Sequence, residues 1–365
     1  MAGIVAGIWR DCGIIDLMFK PKFMITPEIN NRIAKIERIR EVVSKASILP
    51  QQEVVLRLRA KIDSIHSSTS IEGNVLNKRE VEKVLGGERV RASEKMITEA
   101  LNYKKAIDWM EGHLNEIKEI KKSDVLKLHG FLMKDLLEEE KVGDYRKGPI
   151  YIVDVMKEKD VVRYIGPKGE RVEELVKELL TWLKKEGDRL HPVLMAGIFH
   201  YEFVSIHPFG DGNGRATRLL TQMILWLKKY AFRKSLTLDT YYWQNRMDYY
   251  KALSRAKTYD GRRGVDITPW LEFFTKGFLE SAKDLEKEIT AVSLSKGSGQ
   301  VVRLSNDELL IVDFVKQMNR VGLQDVLEIL DVPERTVQRR LRGLVDKKIL
   351  RKHGKGKSIY YQLVK

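Results

Sequence analysis

The chain has 365 residues, a formal net charge of +15 and one cysteine, Cys12. That length suits two or three domains around a sizeable core, and a single cysteine excludes a disulfide framework or a cysteine-rich zinc site within the chain. No apolar run approaches the roughly 20 residues of a membrane span, the basic balance suits phosphorylated or nucleic-acid partners, and the cytoplasm is the expected compartment.

The apolar residues 2–9 lack a basic lead and are cut short by Arg10 and Asp11, so they make a poor signal peptide. Met18 begins a more ordinary polar start. Thr26-Pro27-Glu28 reads as an N-cap, a proline in the first turn and an acidic first turn. Ile29, Ile33, Ile36, Ile39 and Val43 continue as a helical stripe towards Pro50. A second helix is expected from Gln51 to Ser70, ending at Gly73 as a C-cap. Asn77 and Glu80 form a capping box for a short helix to Leu85. Further helices are expected over 92–114 and, capped by Ser123, over 124–139.

The period then changes. Residues 149–155 and 161–165 are β-rich and flank the charged turn 156–160, which predicts a hairpin. Helices follow at 172–185 and 192–206. Next comes Ile206-His207-Pro208-Phe209-Gly210-Asp211-Gly212-Asn213-Gly214-Arg215-Ala216-Thr217-Arg218, running into a helix that starts at Asn213. Helices are expected over 238–259 and 269–292. Residues 295–300 are a Gly/Ser linker. After it come helices at 306–318, 323–330 and 334–347, a strand from Ile349 and a strand over 358–364. Residues 296–365 contain 15 Lys+Arg and 8 Asp+Glu, so 15 − 8 = +7 of the charge lies there.

The loop after Ile206 carries the chemistry. A glycine-rich turn opening onto a helix N-terminus offers free N–H groups and the positive end of the helix dipole, a ready anion site. Arg215 and Arg218 lie three apart on one face, where cations oppose the dipole. Phosphate groups would offset that, through bidentate contacts. Asp211 has the wrong sign for phosphate and the right one for Mg²⁺, which takes one or two carboxylates and completes its shell with phosphates. His207 is the candidate general base. A metal site of His191, His200 and His207 lacks zinc spacing. Phe209 reads as a core anchor. Each residue alone could belong to an ordinary helix-loop-helix turn; their convergence on one loop points to phosphate chemistry.

The run from His207 to Arg215 resembles the H-P-F-x-D-G-N-G-R signature of the Fic (filamentation induced by cAMP) domain, whose members transfer AMP from ATP to protein hydroxyls. Doc-type kinases of that superfamily carry lysine where Gly214 stands, so nucleotidyl transfer is implied. The resemblance makes His207 the catalytic base and Asp211 the Mg²⁺ ligand. It assigns Gly212, Asn213, Gly214, Arg215 and Arg218 to the ATP phosphates. Asn245-Arg246-Met247-Asp248-Tyr249-Tyr250 resembles the segment that brings Asn245 and Tyr249 near the adenine; for Tyr250 a place in the core is preferred. Ser68, Glu72 and Gly73 match the inhibitory motif [S/T]-x-x-x-E-[G/N], lying N-terminal to the core. Gly143-Asp144-Tyr145-Arg146 resembles the family lead-in. The hairpin resembles the flap that holds a target segment as an added strand, although Tyr164-Ile165-Gly166-Pro167 departs from a common Y-x-P-P.

The expected fold is mainly α. It has an N-terminal helical region (1–59) and a Fic domain (60–293) with an inhibitory helix at about 60–73 and a flap at about 149–165. A linker (294–300) leads to a region resembling a winged helix (301–365), which offers Thr336, Gln338, Arg339, Arg340 and Arg342 to DNA or docks on protein. The expected activity is adenylylation of a Ser, Thr or Tyr hydroxyl of a target protein, restrained by Glu72. Two other readings stay open: removal of AMP by the same site, and a DNA-binding regulator with a quiet Fic domain. No membrane partner is expected, and a homodimer is left open.

Overall fold

The computed structural model describes residues 19–154, 161–186, 189–294 and 304–364, the last without positions 319, 331, 355, 357 and 358. The tip of the predicted hairpin, the linker and the N-terminal 18 residues lie outside these.

Helix α1 (Pro27–Lys45) starts where Thr26 Oγ1 accepts from Ile29 N, and it buries Ile29, Ile36, Ile39 and Val43. It packs along α12 (Thr268–Leu294). Helix α2 (Pro50–Ile71) ends at Glu72, its C-cap. The short α3 (Lys78–Leu85) carries the expected Asn77/Glu80 capping box, and α4 (Glu94–His113) is capped by Ser93. Helix α5 (Lys122–Met133) departs from expectation at both ends. Asp124, not Ser123, closes its N-terminus by accepting from Lys121 N at 2.7 Å, and the chain leaves the helix before Asp135, whose φ is 60°.

Strands β1 (Tyr151–Asp154) and β2 (Val161–Ile165) pair antiparallel, Tyr151 opposite Ile165. Tyr164 anchors this hairpin: it is buried, its hydroxyl donates to Ser205 O, and the Arg262 guanidinium lies 3.7 Å over its ring. Helix α6 (Val172–Glu186) packs on α7 (Pro192–Ile206), which is buried on nearly all sides and pairs with α8 (Asn213–Leu227) at the centre.

The single helix expected over 238–259 is broken into α9 (Asp239–Gln244), α10 (Arg246–Leu253) and, after a loop, α11 (Tyr259–Gly264). Asn245 makes the first break. Its backbone leaves the helical region (φ −112°, ψ 38°) and its side-chain amide donates to Tyr241 O at 2.9 Å, a local bond that competes with the helix ladder.

Beyond the linker, α13 (Asn306–Met318), α14 (Leu323–Ile329) and α15 (Glu334–Asp346) surround a second core with the antiparallel strands β3 (Leu350–His353) and β4 (Tyr360–Leu363). That core includes Val54 from α2, so the two cores share a helix. Among the described residues no helix is long and apolar enough to cross a membrane.

Candidate active site

Three sets of contacts shape the loop between α7 and α8. The first is at His207, which caps α7 in the left-handed region, φ 52°. Such a conformation costs a non-glycine residue on the order of 1–3 kcal/mol and persists only when its surroundings impose it. Arg146 imposes it. Its Nε donates to His207 O at 2.8 Å, its Nη2 to Ile206 O at 3.3 Å and its backbone N–H to Pro208 O at 2.9 Å. The same guanidinium donates to Gly148 O and Pro167 O, which ties the base of the hairpin to the loop.

The second set is Asn213. Its Oδ1 accepts from Phe209 N and its Nδ2 donates to Phe209 O, both at 2.8 Å, closing the loop on itself. The third is His129, stacked on the buried Phe209 ring with centroids 3.7 Å apart. Its Nδ1 accepts from Gly143 N at 3.0 Å, so its Nε2 carries the proton and donates to Asp211 O at 3.1 Å. Burial pushes this imidazole down to about 4, which keeps it a neutral prop.

The loop leaves His207 ready to accept a proton. Its Nδ1 lies 3.0 Å from Val204 O, and a carbonyl can only accept, so Nδ1 holds the hydrogen and the Nε2 lone pair is free. Desolvation pushes its pKa down to about 4, with Arg146 and Arg262 acting in the same direction and Glu72 opposing.

Gly212 is the N-cap of α8 at φ 75° and offers no side-chain cap, so the first N–H groups of α8 await an anion. Glu72 lies against them. A Cβ on Gly214 would collide with Glu72 Oε1, so only glycine lets the carboxylate come this close. Arg218, 3% exposed, holds that carboxylate: Nη2 donates to Glu72 Oε1 at 2.9 Å and to Ser68 O at 2.9 Å, and Nε donates to Ser68 Oγ at 2.7 Å. Asp239, itself bonded to Ser64 Oγ, stands 3.7 Å from Arg218 Nε. Burial disfavours the charged guanidinium, and Glu72, the surrounding tyrosines and Asp239 outweigh it.

Arg215, also 3% exposed, is different. Its Nε and Nη1 have no hydrogen-bond partner, and its nearest carboxylates are Asp211 at 3.5 Å and Glu99 at 3.6 Å. The Asp211 side chain is 54% exposed at the mouth of the loop. Among the described residues no group of three His, Cys, Asp or Glu side chains could hold a metal alone. His191 faces Glu37, and His200 is enclosed between Thr221 and Tyr249. A half-exposed carboxylate is a donor of the kind Mg²⁺ takes, one that leaves most of its shell to other oxygens and water.

The two expected adenine neighbours have different settings. Asn245 sits at the α9–α10 break with its side-chain amide on Tyr241 O. Tyr249 is buried, its hydroxyl against His200 and its ring stacked on Tyr242, so its face is closed to a ligand. Tyr250, preferred above as a core residue, is the exposed one, its hydroxyl reaching Ile71 O at the end of α2. Sequence reasoning gave no role to Arg146, His129, Glu99 or Asp239. For Arg146 the signal was present in the Gly143–Arg146 lead-in; for the others none was, since nothing local marks them.

A histidine, a glycine N-cap and two buried arginines thus meet in one loop at a helix N-terminus. Residues 119–225 match the model of the Fic/DOC family. The protein adenylyltransferase Fic of Nematostella vectensis is 26% identical over 235 residues, 63% of this chain and 49% of the relative. That of Drosophila grimshawi is 27% identical over 286 residues, 74% of this chain and 54% of the relative. The chain thus spans about half the length of the curated relatives it matches. A Fic family protein from Desulfovibrio desulfuricans G20, solved by crystallography, superposes with a TM-score of 0.62 at 27% identity, covering 95% of this chain and 98% of that one.

Proposed function

We propose that this protein is a protein adenylyltransferase held in check by Glu72. The observation that carries the reading is the Glu72 carboxylate, seated on Arg218 against the uncapped N-terminus of α8, where a nucleotide phosphate would go. In the reaction a target hydroxyl gives its proton to His207 Nε2 while its oxygen bonds to the α-phosphorus of ATP. The bond from that phosphorus to the bridging oxygen breaks, and pyrophosphate leaves. Free N–H groups of α8 and the Arg215 donors take the phosphates, and Arg218 takes the γ-phosphate once Glu72 withdraws. Mg²⁺, when bound at Asp211, neutralises phosphate charge.

The target segment docks at the hairpin, where Tyr151, Ile152, Val153, Val161, Val162 and Ile165 present an exposed apolar strand pair. Labelled ATP, the full-length chain and a candidate lysate, read by mass spectrometry, test the activity. AMP on Ser, Thr or Tyr of a target is expected; hydrolysis of pre-adenylylated protein alone would favour the reverse reaction. For the metal, Asp211→Ala should lower transfer by tenfold or more, on the order of 1.4 kcal/mol, and raise the Mg²⁺ concentration needed. Undiminished activity in EDTA would remove Asp211 from this role.

The C-terminal region is read as a winged helix with a DNA partner. Its support is the exposed face of α15 bearing Arg335, Gln338, Arg339 and Arg342. Arg340, expected on that face, instead pairs with Asp307 of α13 at 3.1 Å. The discriminating variant is therefore Arg339→Glu/Arg342→Glu in the full chain. It should abolish duplex binding that falls steeply with salt; no binding by the parent at low salt would mean the face docks protein.

A further inference from the structure

Arg215 poses a problem that its neighbours solve. A buried guanidinium needs a counter-charge, yet a phosphate-binding arginine must keep its donors free. A carboxylate making a full fork with it would satisfy the first need and defeat the second. Glu99 of α4, 9% exposed, stops short of that fork. Its Oε1 lies 3.6 Å from Arg215 Nη1, and neither Nη1 nor Nε is hydrogen-bonded.

Asn74 accounts for the restraint. Its Nδ2 donates to Glu99 Oε2 at 2.8 Å and to Met96 O at 3.0 Å, while its Oδ1 accepts from Leu76 N at 3.1 Å. The amide is thus pinned to α4 and to its own turn, and it fixes the Glu99 carboxylate by the oxygen facing away from Arg215. Asn74 is two residues beyond Glu72. The turn that ends α2 therefore reaches both arginines of the loop: Arg218 directly, through Ser68 and Glu72, and Arg215 through Glu99.

We propose that Asn74 and Glu99 are positioning residues for Arg215: Glu99 supplies its counter-charge, and Asn74 holds Glu99 back so that the Arg215 donors stay open for the β-phosphate. This rests on the nucleotide reading above. It implies that the turn has two separable effects, blocking Arg218 and keeping Arg215 available.

The test is calorimetric titration of the full-length chain with ADP and AMP in the presence of Mg²⁺, in a Glu72→Gly background so that the Arg218 contact does not interfere. Adding Asn74→Ala lets Glu99 close on Arg215, and ADP affinity should fall about tenfold while AMP affinity stays within about twofold, since AMP has no β-phosphate. Adding Glu99→Gln to that variant removes the competing charge and should restore ADP binding. Equal weakening for ADP and AMP, an unchanged ADP affinity, or failure of Glu99→Gln to rescue it would each overturn the proposal. Absence of any nucleotide binding by the Glu72→Gly parent would instead overturn the nucleotide reading, a distinguishable result.

Discussion

Replacing Glu72 with glycine should raise adenylyl transfer by about ten- to a hundredfold. A hydrogen bond to a charged group contributes about 1.5–3 kcal/mol, and each 1.4 kcal/mol is about tenfold; that is the competition a γ-phosphate escapes when the carboxylate is gone. The fold should survive. Glu72 is a helix C-cap with a side chain 35% exposed, and glycine is well tolerated at such positions. Arg218 is not left as an orphaned buried charge, because Ser68 Oγ and Ser68 O still accept from it and Asp239 stays 3.7 Å away. The measurement is incorporation of labelled AMP by the parent and the variant, with melting curves for both. Equal labelling would leave Glu72 as an ordinary helix end.

Removal of the His207 imidazole should have the opposite effect, a loss of about 10²–10⁴-fold, the usual contribution of a positioned general base. His207→Ala should still bind ATP, because the α8 N-terminus and the arginines remain. The double variant Glu72→Gly/His207→Ala should be as inactive as His207→Ala; activation that survives would place the chemistry outside this loop. The pH dependence has a definite sign. The proton acceptor is the neutral ring, and burial lowers its pKa to about 4. The base form is therefore already present at neutral pH, and the rate should hold as pH falls from 8 to about 5, declining only as His207 protonates nearer 4. A titration centred near the unperturbed value of about 6.5 would contradict the desolvation that outweighs the Val204 hydrogen bond and Glu72 at this ring.

Much of this was readable in one dimension. Thr26 and Asn77 cap the helices they were expected to cap, because capping is a bond to the next turn and leaves a local mark. The hairpin, α7 and the start of α8 follow from period and punctuation for the same reason. The failures are non-local or side-chain driven. Apolar periodicity runs through Asn245, yet its amide breaks the helix there. Tyr249 and Tyr250 are adjacent aromatic residues, and only packing against His200 and Tyr242 decides which one is buried. The contacts made by Glu99 and Asp239 join α4 and α9 to α8, and no spacing rule records such meetings. Glu72 meets Arg218 across 146 residues, and only the inhibitory motif pointed to a restraint there; the contact of Ser68 with Arg218 had no sequence signal.

Val54 lies near the start of α2 and Glu72 at its end, a separation of about 27 Å at 1.5 Å per residue. The first belongs to the C-terminal core and the second to the Arg218 contact. Deleting the C-terminal region would therefore strip packing from the very helix that carries Ser68 and Glu72. Comparing a truncated chain with the full one would perturb the restraint along with the region removed, whereas point changes on the exposed face of α15 leave the seat of Val54 intact.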